Sequence, residues 1–426
     1  MLGLAIAYLR DRAGQTLLNV ALLALAVASL VALLLISTRV EDRFARDAAG
    51  IDLVVGAKGS PLQLILSAIY HVDQPTGNVP LETVAMLRKD PAVASAIPLA
   101  LGDNFAGFRI VGTEPAFLSL HRPELAQGRI WQAPMEAVIG ADVARATGAG
   151  LGQRFVGTHG LADDGGEHDH APFTVVGILA RTGTVTDRLI LTSVESVWDV
   201  HGIAHGGSDH AHDHDHARDH DHAHDHDHGH APRVPEQPLT GRPALEPEVT
   251  AVLVRYASPA AAIRLPAAIN RQTAMQAASP ASETARFLSL FDGAIAGARA
   301  FAMLIAAAGA LSIFTVLLSA ARQRAGDLAL LRVMGATRAQ VFGCVVLEGL
   351  LIAALGAAIG LVLGHVVVGL AAERFPALGA MGVSGLAFHP GALAIGGLAL
   401  LLGVLAALIP AARVFRTDLA ATLARS

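Results

Sequence analysis

The chain has 426 residues, of which 53% are hydrophobic but only 4% aromatic, with a mean hydropathy of +0.50 and a formal net charge of −5. Alanine, leucine, glycine and valine carry the apolar content, a profile that fits a membrane protein rather than a large soluble core. The basic residues are nearly all arginine, Lys58 and Lys89 being the only lysines, and a single cysteine, Cys344, excludes an intrachain disulfide.

In chain order, residues 2–16 (LGLAIAYLRDRAGQT) predict a helix lying along a membrane surface, so that 1–16 forms an interfacial segment. Residues 17–36 are apolar except for Asn19 and Ser29, and at 1.5 Å per residue they cross a hydrocarbon core of about 30 Å. A cleaved leader fits less well, because the run is long and STRVEDRF, which follows it, has no small-x-small cleavage site. Residues 37–299 have ordinary globular composition. Within them, 51–58, 108–112, 137–140, 173–179, 188–192 and 248–256 predict strands, and 80–90, 142–148 and 258–276 predict helices. Strands alternating with helices imply a two-lobed α+β domain. Residues 281–299 lead as one helix into a second span, 300–321. A third span covers 341–372 and a fourth 391–409, closed by Pro410. The connections are 322–340 and 373–390, and the tail is 410–426.

Orientation follows from arginine. Arg10 and Arg12 precede span one, Arg322, Arg324, Arg332 and Arg338 sit between spans two and three, and Arg413, Arg416 and Arg425 follow span four. Arg374 alone lies between spans three and four. The excess of positive charge on cytoplasmic loops puts both termini and 322–340 in the cytoplasm, and 37–299 outside. The fold class expected is thus an α-helical integral membrane protein of four spans with a large extracytoplasmic α+β domain.

The stretch 201–247 interrupts that domain. Its centre, 209–230, reads DHAHDHDHARDHDHAHDHDHGH. The composition predicts a segment without fixed structure in the absence of metal. His210, His212, His214, His216, His220, His222, His224, His226, His228 and His230 are candidate metal ligands. They offer i,i+2 pairs to an extended chain and i,i+4 pairs to a helix. Imidazole suits zinc, nickel and copper alike, and zinc is the leading expectation. No fixed four-ligand spacing marks one defined site, and a low-complexity linker that binds metal incidentally has the same composition.

Two further groups stand out. Residues 322–340 place Leu328, Leu330, Leu331, Val333 and Met334 among arginines, which implies a short amphipathic helix seeking a protein groove. In span three, Gly356, Gly360 and Gly364 recur every four residues, so one helix face admits close approach of another backbone, within the chain or across a dimer.

A single span, a large external domain and three clustered spans resemble the FtsX/MacB-like permeases of ABC transporters. The stretch RQRAGDLALLRVMGATRAQVF (322–342) is similar to that family's E-x-A-x-L-R-A-x-G-A segment. Leu331, Arg332, Gly335 and Ala336 match it, and Asp327 stands where glutamate is usual. The tail IPAARVFRTDLAATLA (409–424) is similar to the family's ending, with Leu419 in place of its proline. LAQGRIW (125–131) and EAVIGADVARATGAGLGQRF (136–155) resemble its external-domain pattern. The resemblance implies a MacB-type periplasmic domain and mechanotransmission: a separate ABC ATPase works beneath a homodimer of permease chains in a bacterial inner membrane. The external domains then move lipid-linked, peptide or protein cargo, with membrane lipid and a periplasmic adaptor or lipoprotein as partners. It assigns ATPase coupling to Asp327, Leu328, Leu331, Arg332, Gly335 and Ala336.

What the chain lacks agrees. Neither lysine follows a glycine, so no P-loop exists and the nucleotide belongs to a partner. No HExxH, GxSxG or usable cysteine nucleophile is present, and basic patches with aromatics are absent, which argues against catalysis and against nucleic acid. No cofactor is required, with zinc, nickel or copper on the histidine-rich loop as the one metal expectation. Other readings are a non-transporting FtsX-like regulator of an envelope hydrolase, a zinc transporter, and a metal-binding membrane receptor. A zinc path through the spans needs ionisable ligands there, and only Glu348 and His365 qualify.

Overall fold

The computed structural model describes residues 2–159, 172–201, 203, 246–323, 333–375, 378–379 and 381–415. They form two compact units, one of Met1–Arg46 with Ala285–Ser426 and one of Asp47–Thr284.

The first unit is helical. Four helices are long and apolar enough to cross a membrane: Ala13–Asp47, Pro280–Gln323, Arg338–Arg374 and Pro390–Phe415. Leu23, Val27, Val31 and Leu35 of the first pack against Ala353, Ala357 and Val368 of the third and Ala392 and Ala399 of the fourth. Val20, Ile313, Leu317, Ile352 and Ala407 bring one residue or more from every span into a second cluster, which Leu9 of the helix Leu2–Asp11 joins. Leu25, Phe301, Leu304, Val362, Leu370, Leu393 and Leu401 are exposed, as a lipid-facing surface requires. The N-terminal helix turns at Arg12 rather than at residue 16, and the Thr16 hydroxyl reaches back across the turn to donate to the Leu9 carbonyl at 3.1 Å. The fourth helix does not close at Pro410 but continues to Phe415. Pro410 and Ala411 are both buried, and packing within the bundle holds the backbone helical where proline removes one hydrogen bond.

The second unit is built on one sheet. Its strands, with those of a small side ribbon, are β1 (Leu53–Ala57), β2 (Val79–Pro80), β3 (Val93–Phe105), β4 (Phe108–Thr113), β5 (Leu125–Gly128), β6 (Glu136–Ile139), β7 (Arg154–Phe155), β8 (Thr158–His159), β9 (Phe173–Leu179), β10 (Leu189–Ser193), β11 (Glu248–Val249), β12 (Ala251–Tyr256) and β13 (Met275–Ala278). The order is β13-β1-β12-β3-β4-β10-β6-β9-β5, with β7 on β9 and β8 on β3; β11 and β2 form the ribbon. The β4–β10 and β6–β9 pairs are parallel, and the other pairs are antiparallel. One core gathers Leu53, Leu87, Val252 and Ile269 around Trp198, whose indole N–H donates to the Glu248 carbonyl at 2.8 Å. A second gathers Ile110, Ile139, Phe155, Phe173 and Ile190. The two expected lobes therefore share a single sheet.

Two of the expected elements run differently, and one strand was not expected. The helix predicted over 258–276 spans Ala261–Gln272, and Met275–Ala278 instead pairs with β1 as an edge strand. The strand predicted over 248–256 is split at Thr250, whose side chain accepts from the Leu101 amide at 2.9 Å. The 13-residue β3 was not expected at all, because Pro98 and Gly102 interrupt its apolar pattern.

A buried polar knot closes one end of the domain. Asp187 accepts from the Thr182 amide and hydroxyl, both at 2.8 Å, and from the Gly183 amide at 2.8 Å. The hydroxyls of Thr182, Thr184 and Thr186 bond among themselves, and Asp47 accepts from the Val185 amide at 2.8 Å. Removing the carboxylate takes away an acceptor shared by three donors. Asp187→Ala is expected to lower domain stability by about 2 kcal/mol, read as a lower thermal midpoint of the full chain in detergent. An unchanged midpoint would show the knot to be dispensable.

Candidate functional site

The elbow between the second and third spans begins beyond Gln323. Asp327, Leu328, Leu331 and Arg332 lie outside the described residues. On the described side, Val333 is helical, and Val333 and Met334 are 66% and 77% exposed. Gly335 sits at φ +105°, a conformation that side chains with a Cβ rarely adopt, so the chain can turn there. Ala336 follows, and then Thr337 caps the third span. The Thr337 side chain accepts from the Gln340 amide at 3.2 Å, while the Gln340 side chain accepts from the Thr337 amide at 2.8 Å. The reciprocal pair is a capping box. The sequence GATRAQ is thus a stop followed by a start, and it fixes where the elbow ends.

The third span uses two faces. A Cβ on Gly356 would stand 3.0 Å from Leu23 Cβ, one on Gly360 2.6 Å from Val27 Cβ, and one on Gly364 2.9 Å from Val31 Cβ. All three glycines therefore meet the first span of the same chain. The other face meets the fourth span: a Cβ on Gly349 would lie 2.6 Å from Ala407 Cβ, and one on Gly403 2.3 Å from Ala353 Cβ. Sequence reasoning passed over this second face, although Gly349 and Ala353, like Gly403 and Ala407, show the small-x-x-x-small spacing that marks it.

Glu348 is buried and lines a cavity of about 20 Å³ with Tyr8, Leu317, Ala320, Cys344 and Val345. His365 lies on the wall of a separate cavity of about 840 Å³, with Leu361, Gly369, Glu373 and Ser384, and its Nδ1 is 2.8 Å from the Leu361 carbonyl oxygen. Glu348 and His365 are seventeen residue steps apart along one helix, about 25 Å, so the two cannot share a metal ion. Among the described residues no group of three or more His, Cys, Asp or Glu is placed to hold one. His210, His212, His214, His216, His220, His222, His224, His226, His228 and His230 lie outside the described residues.

Comparison with known proteins places this architecture. The family model for the FtsX-like permease C-terminal region matches residues 299–419, and that for the MacB-like periplasmic core domain matches 16–220. The chain belongs to the FtsX/MacB-like permease family of ABC transporters. It is a membrane subunit with a MacB-like periplasmic α/β domain, of a family whose ATPase is a partner. Two solved structures are similar to parts of it. The periplasmic region of MacB from Actinobacillus actinomycetemcomitans is 11% identical at a TM-score of 0.32, covering 56% of this chain and 94% of that one. The extracellular domain of the noncanonic ABC-type transporter YknZ from Gram-positive bacteria is 12% identical at 0.29, covering 53% and 98%. No curated protein matches the chain.

In this permease the external motif residues turn out to be architectural. A Cβ on Gly128 would lie 2.2 Å from the Val176 carbonyl oxygen, and one on Gly140 2.3 Å from that of Thr186. Arg129 forms a two-pronged ion pair with Glu136, one arm at 2.7 Å. That hydrogen bonding, helped by the Gln132 and Ala133 amides, pulls the Glu136 carboxyl down to about 2. The QGRIW and EAVIG motifs therefore lock β5, β6 and β9 together.

A second buried cluster went unseen in the sequence. His71, at φ +53°, and Arg109 on β4 are both buried. Burial, followed by the nearby Arg109 and His121, pushes His71 down to about 3, so it is neutral in the folded domain. An unfolded chain regains the ordinary value of 6.5 and takes up a proton below it, while the folded domain does not. Stability is therefore expected to fall as pH falls from 6.5 toward 3, by about 1.4 kcal/mol per unit from this one group. His71→Asn, which tolerates the left-handed backbone, is expected to flatten that acid limb in thermal melts at pH 4 to 7. An unchanged slope would assign it elsewhere.

Proposed function

We propose that the chain is the transmembrane subunit of a mechanotransmission ABC complex. It sits as a homodimer in a bacterial inner membrane, with both termini and residues 322–340 in the cytoplasm and 47–284 in the periplasm. A separate ATPase docks on the elbow, where Asp327, Leu328, Leu331, Arg332, Gly335 and Ala336 form the coupling surface. The single observation that carries this reading is the elbow itself. It combines exposed Val333 and Met334, a left-handed Gly335 and a capped third span with arginines at both of its ends. Large apolar side chains on an arginine-rich turn have no lipid to enter and need a protein groove. The second helix, Pro280–Gln323, is continuous from the last strand of the domain to the elbow, which supports motion being passed along it.

The work done outside is export or extraction of lipid-linked, peptide or protein cargo, together with an adaptor or lipoprotein. Residues 205–230 take up several divalent metal ions, zinc first, which links the complex to metal handling. The test is co-purification from native membranes, with partners identified and cysteine labelling of introduced sites mapped to each face. An ATPase bound to the chain, residue 334 labelled only from the cytoplasm and residue 151 only from the periplasm are expected. Labelling of both positions from one face would overturn the topology and the coupling with it.

A further inference from the structure

The larger groove of the helical unit has a volume of about 840 Å³, within the roughly 300–1,000 Å³ that small-molecule sites occupy. Leu361, Val362 and Val366 of the helix Arg338–Arg374 line one side, and Val383 and Leu386 of the connection to the fourth helix line the other. Val362, Val366 and Leu386 are 63%, 47% and 97% exposed, so the rim is apolar and open on the surface that faces lipid. The connection is pinned to the helix at Gly385, where a Cβ would lie 2.3 Å from the His365 carbonyl oxygen and 2.9 Å from Gly369 Cα. The groove is therefore a fixed part of the fold.

Its two ends differ. Val362 and Glu373 are eleven residue steps apart on one helix, about 16 Å, which is the depth of one leaflet of a hydrocarbon core about 30 Å thick. Glu373 and Ser384 line the groove, and Arg374 follows as the last residue of the helix. A helix C-terminus favours a cation and disfavours an anion, so Arg374 suits the helix and Glu373 does not. Among the described residues the side chains of Glu373 and Arg374 have no hydrogen-bond or ion-pair partner. The Ser384 hydroxyl accepts from the Leu386 amide at 3.2 Å, which leaves its own proton to donate. One end of the groove is thus apolar, and the other carries an acid beside a base.

A complementary occupant brings an apolar chain about one leaflet long, a cation with N–H donors for Glu373 and an anion for Arg374. A fatty acid lacks the cation, and a phospholipid with a net negative charge sets that charge against Glu373. A zwitterionic aminophospholipid supplies all three. Its primary ammonium has three N–H donors, as a lysine side chain has, whereas the quaternary ammonium of phosphatidylcholine has none.

We propose that this groove is a specific site for one aminophospholipid of the surrounding leaflet. Glu373 takes the ammonium, Arg374 the phosphate, and Leu361, Val362, Val366 and Leu386 one acyl chain. The site rests only on the four helices crossing a membrane; that its leaflet is the outer one rests on the topology proposed above. Lipid seated there ties the third span and the connection after it to the head-group composition of that leaflet.

The experiment uses the full chain, delipidated in detergent and titrated with phosphatidylethanolamine or with phosphatidylcholine of identical acyl chains, the bound lipid being counted by native mass spectrometry. One phosphatidylethanolamine per chain is expected, held about fivefold more tightly than phosphatidylcholine, which is near the upper limit for an ion pair at a surface. Glu373→Gln is expected to remove that preference while both lipids still bind. Val366→Trp fills the groove from its rim and is expected to weaken both by more than about tenfold. Glu373 is exposed at the helix end, so Glu373→Gln keeps the test valid should Val366→Trp disturb folding, with circular dichroism and the melting point as the check. Equal affinity of the parent chain for the two lipids overturns the head-group assignment, and unchanged binding in Val366→Trp overturns the groove. Cross-linking between two chains through a cysteine introduced at position 366, undiminished by added lipid, would show a second copy to be the occupant and overturn the site as well. ATPase docking is read separately by co-purification and stands or falls independently of these results.

Discussion

Leu331→Glu is expected to abolish stimulation of the partner ATPase while the chain accumulates normally in the membrane. The elbow packs Leu328, Leu330, Leu331, Val333 and Met334 into seven residues. The two that the structure describes, Val333 and Met334, present most of their surface to solvent. Two large apolar side chains exposed in succession are the signature of an interface anchor rather than of a solvated turn. A carboxylate buried in such an anchor costs several kcal/mol unless it is paired, which exceeds the 1.4 kcal/mol per tenfold that sets affinity. Loss of docking should therefore be complete at cellular concentrations. Gly335 and the Thr337–Gln340 capping box lie beyond the substitution and keep the third span's start in place, so folding is spared. Full ATPase stimulation with the variant present at normal level would reject the elbow as the docking surface.

The sequence made the spans legible because twenty apolar residues have no soluble alternative, and it made β9 legible because FTVVGIL alternates buried and half-buried residues. It concealed β3, since Pro98 reads as a strand breaker. In the fold, β3 is nevertheless central between β12 and β4, with the Pro98 carbonyl engaged by the Thr113 hydroxyl at 2.7 Å. Other signals were present but not taken. Ser60 followed by Pro61 caps and starts the helix Pro61–Ala68, and Thr337 with Gln340 three residues on is a written capping box. A third class was never local. Nothing near His71 announces Arg109, and nothing near Asp103 announces His201, because long-range packing alone brings each pair together. The glycine row of span three falls between these classes: its spacing predicts close approach, but only the fold names Leu23, Val27 and Val31 as what it approaches.

That row supports the second large effect. Gly360→Leu is expected to destabilise the helical unit by about 3 kcal/mol or more and to lower its thermal midpoint in detergent accordingly. The first added atom would already lie 2.6 Å from Val27 Cβ and 2.7 Å from the Ala24 carbonyl oxygen. A side-chain tip could swing away, but the Ala24 carbonyl is helix backbone and cannot, so the whole first span must retreat. Gly356 and Gly364 sit one turn to either side, where an added Cβ would lie 3.0 Å from Leu23 Cβ and 2.9 Å from Val31 Cβ, and a retreat at residue 360 opens those contacts too. Overpacking in a dense core costs about 1–3 kcal/mol, and the loss of the flanking contacts takes this case to the top of that range. Gly397 provides the comparison. It is exposed, a Cβ there meets nothing within 4 Å, and Gly397→Leu should stay within about 0.5 kcal/mol of the parent chain. Equal midpoints for the two variants would mean that the first and third spans are not held together by this face. A Gly360→Leu chain that melts early but still supports full ATPase stimulation would separate the packing of these helices from the transmission of motion.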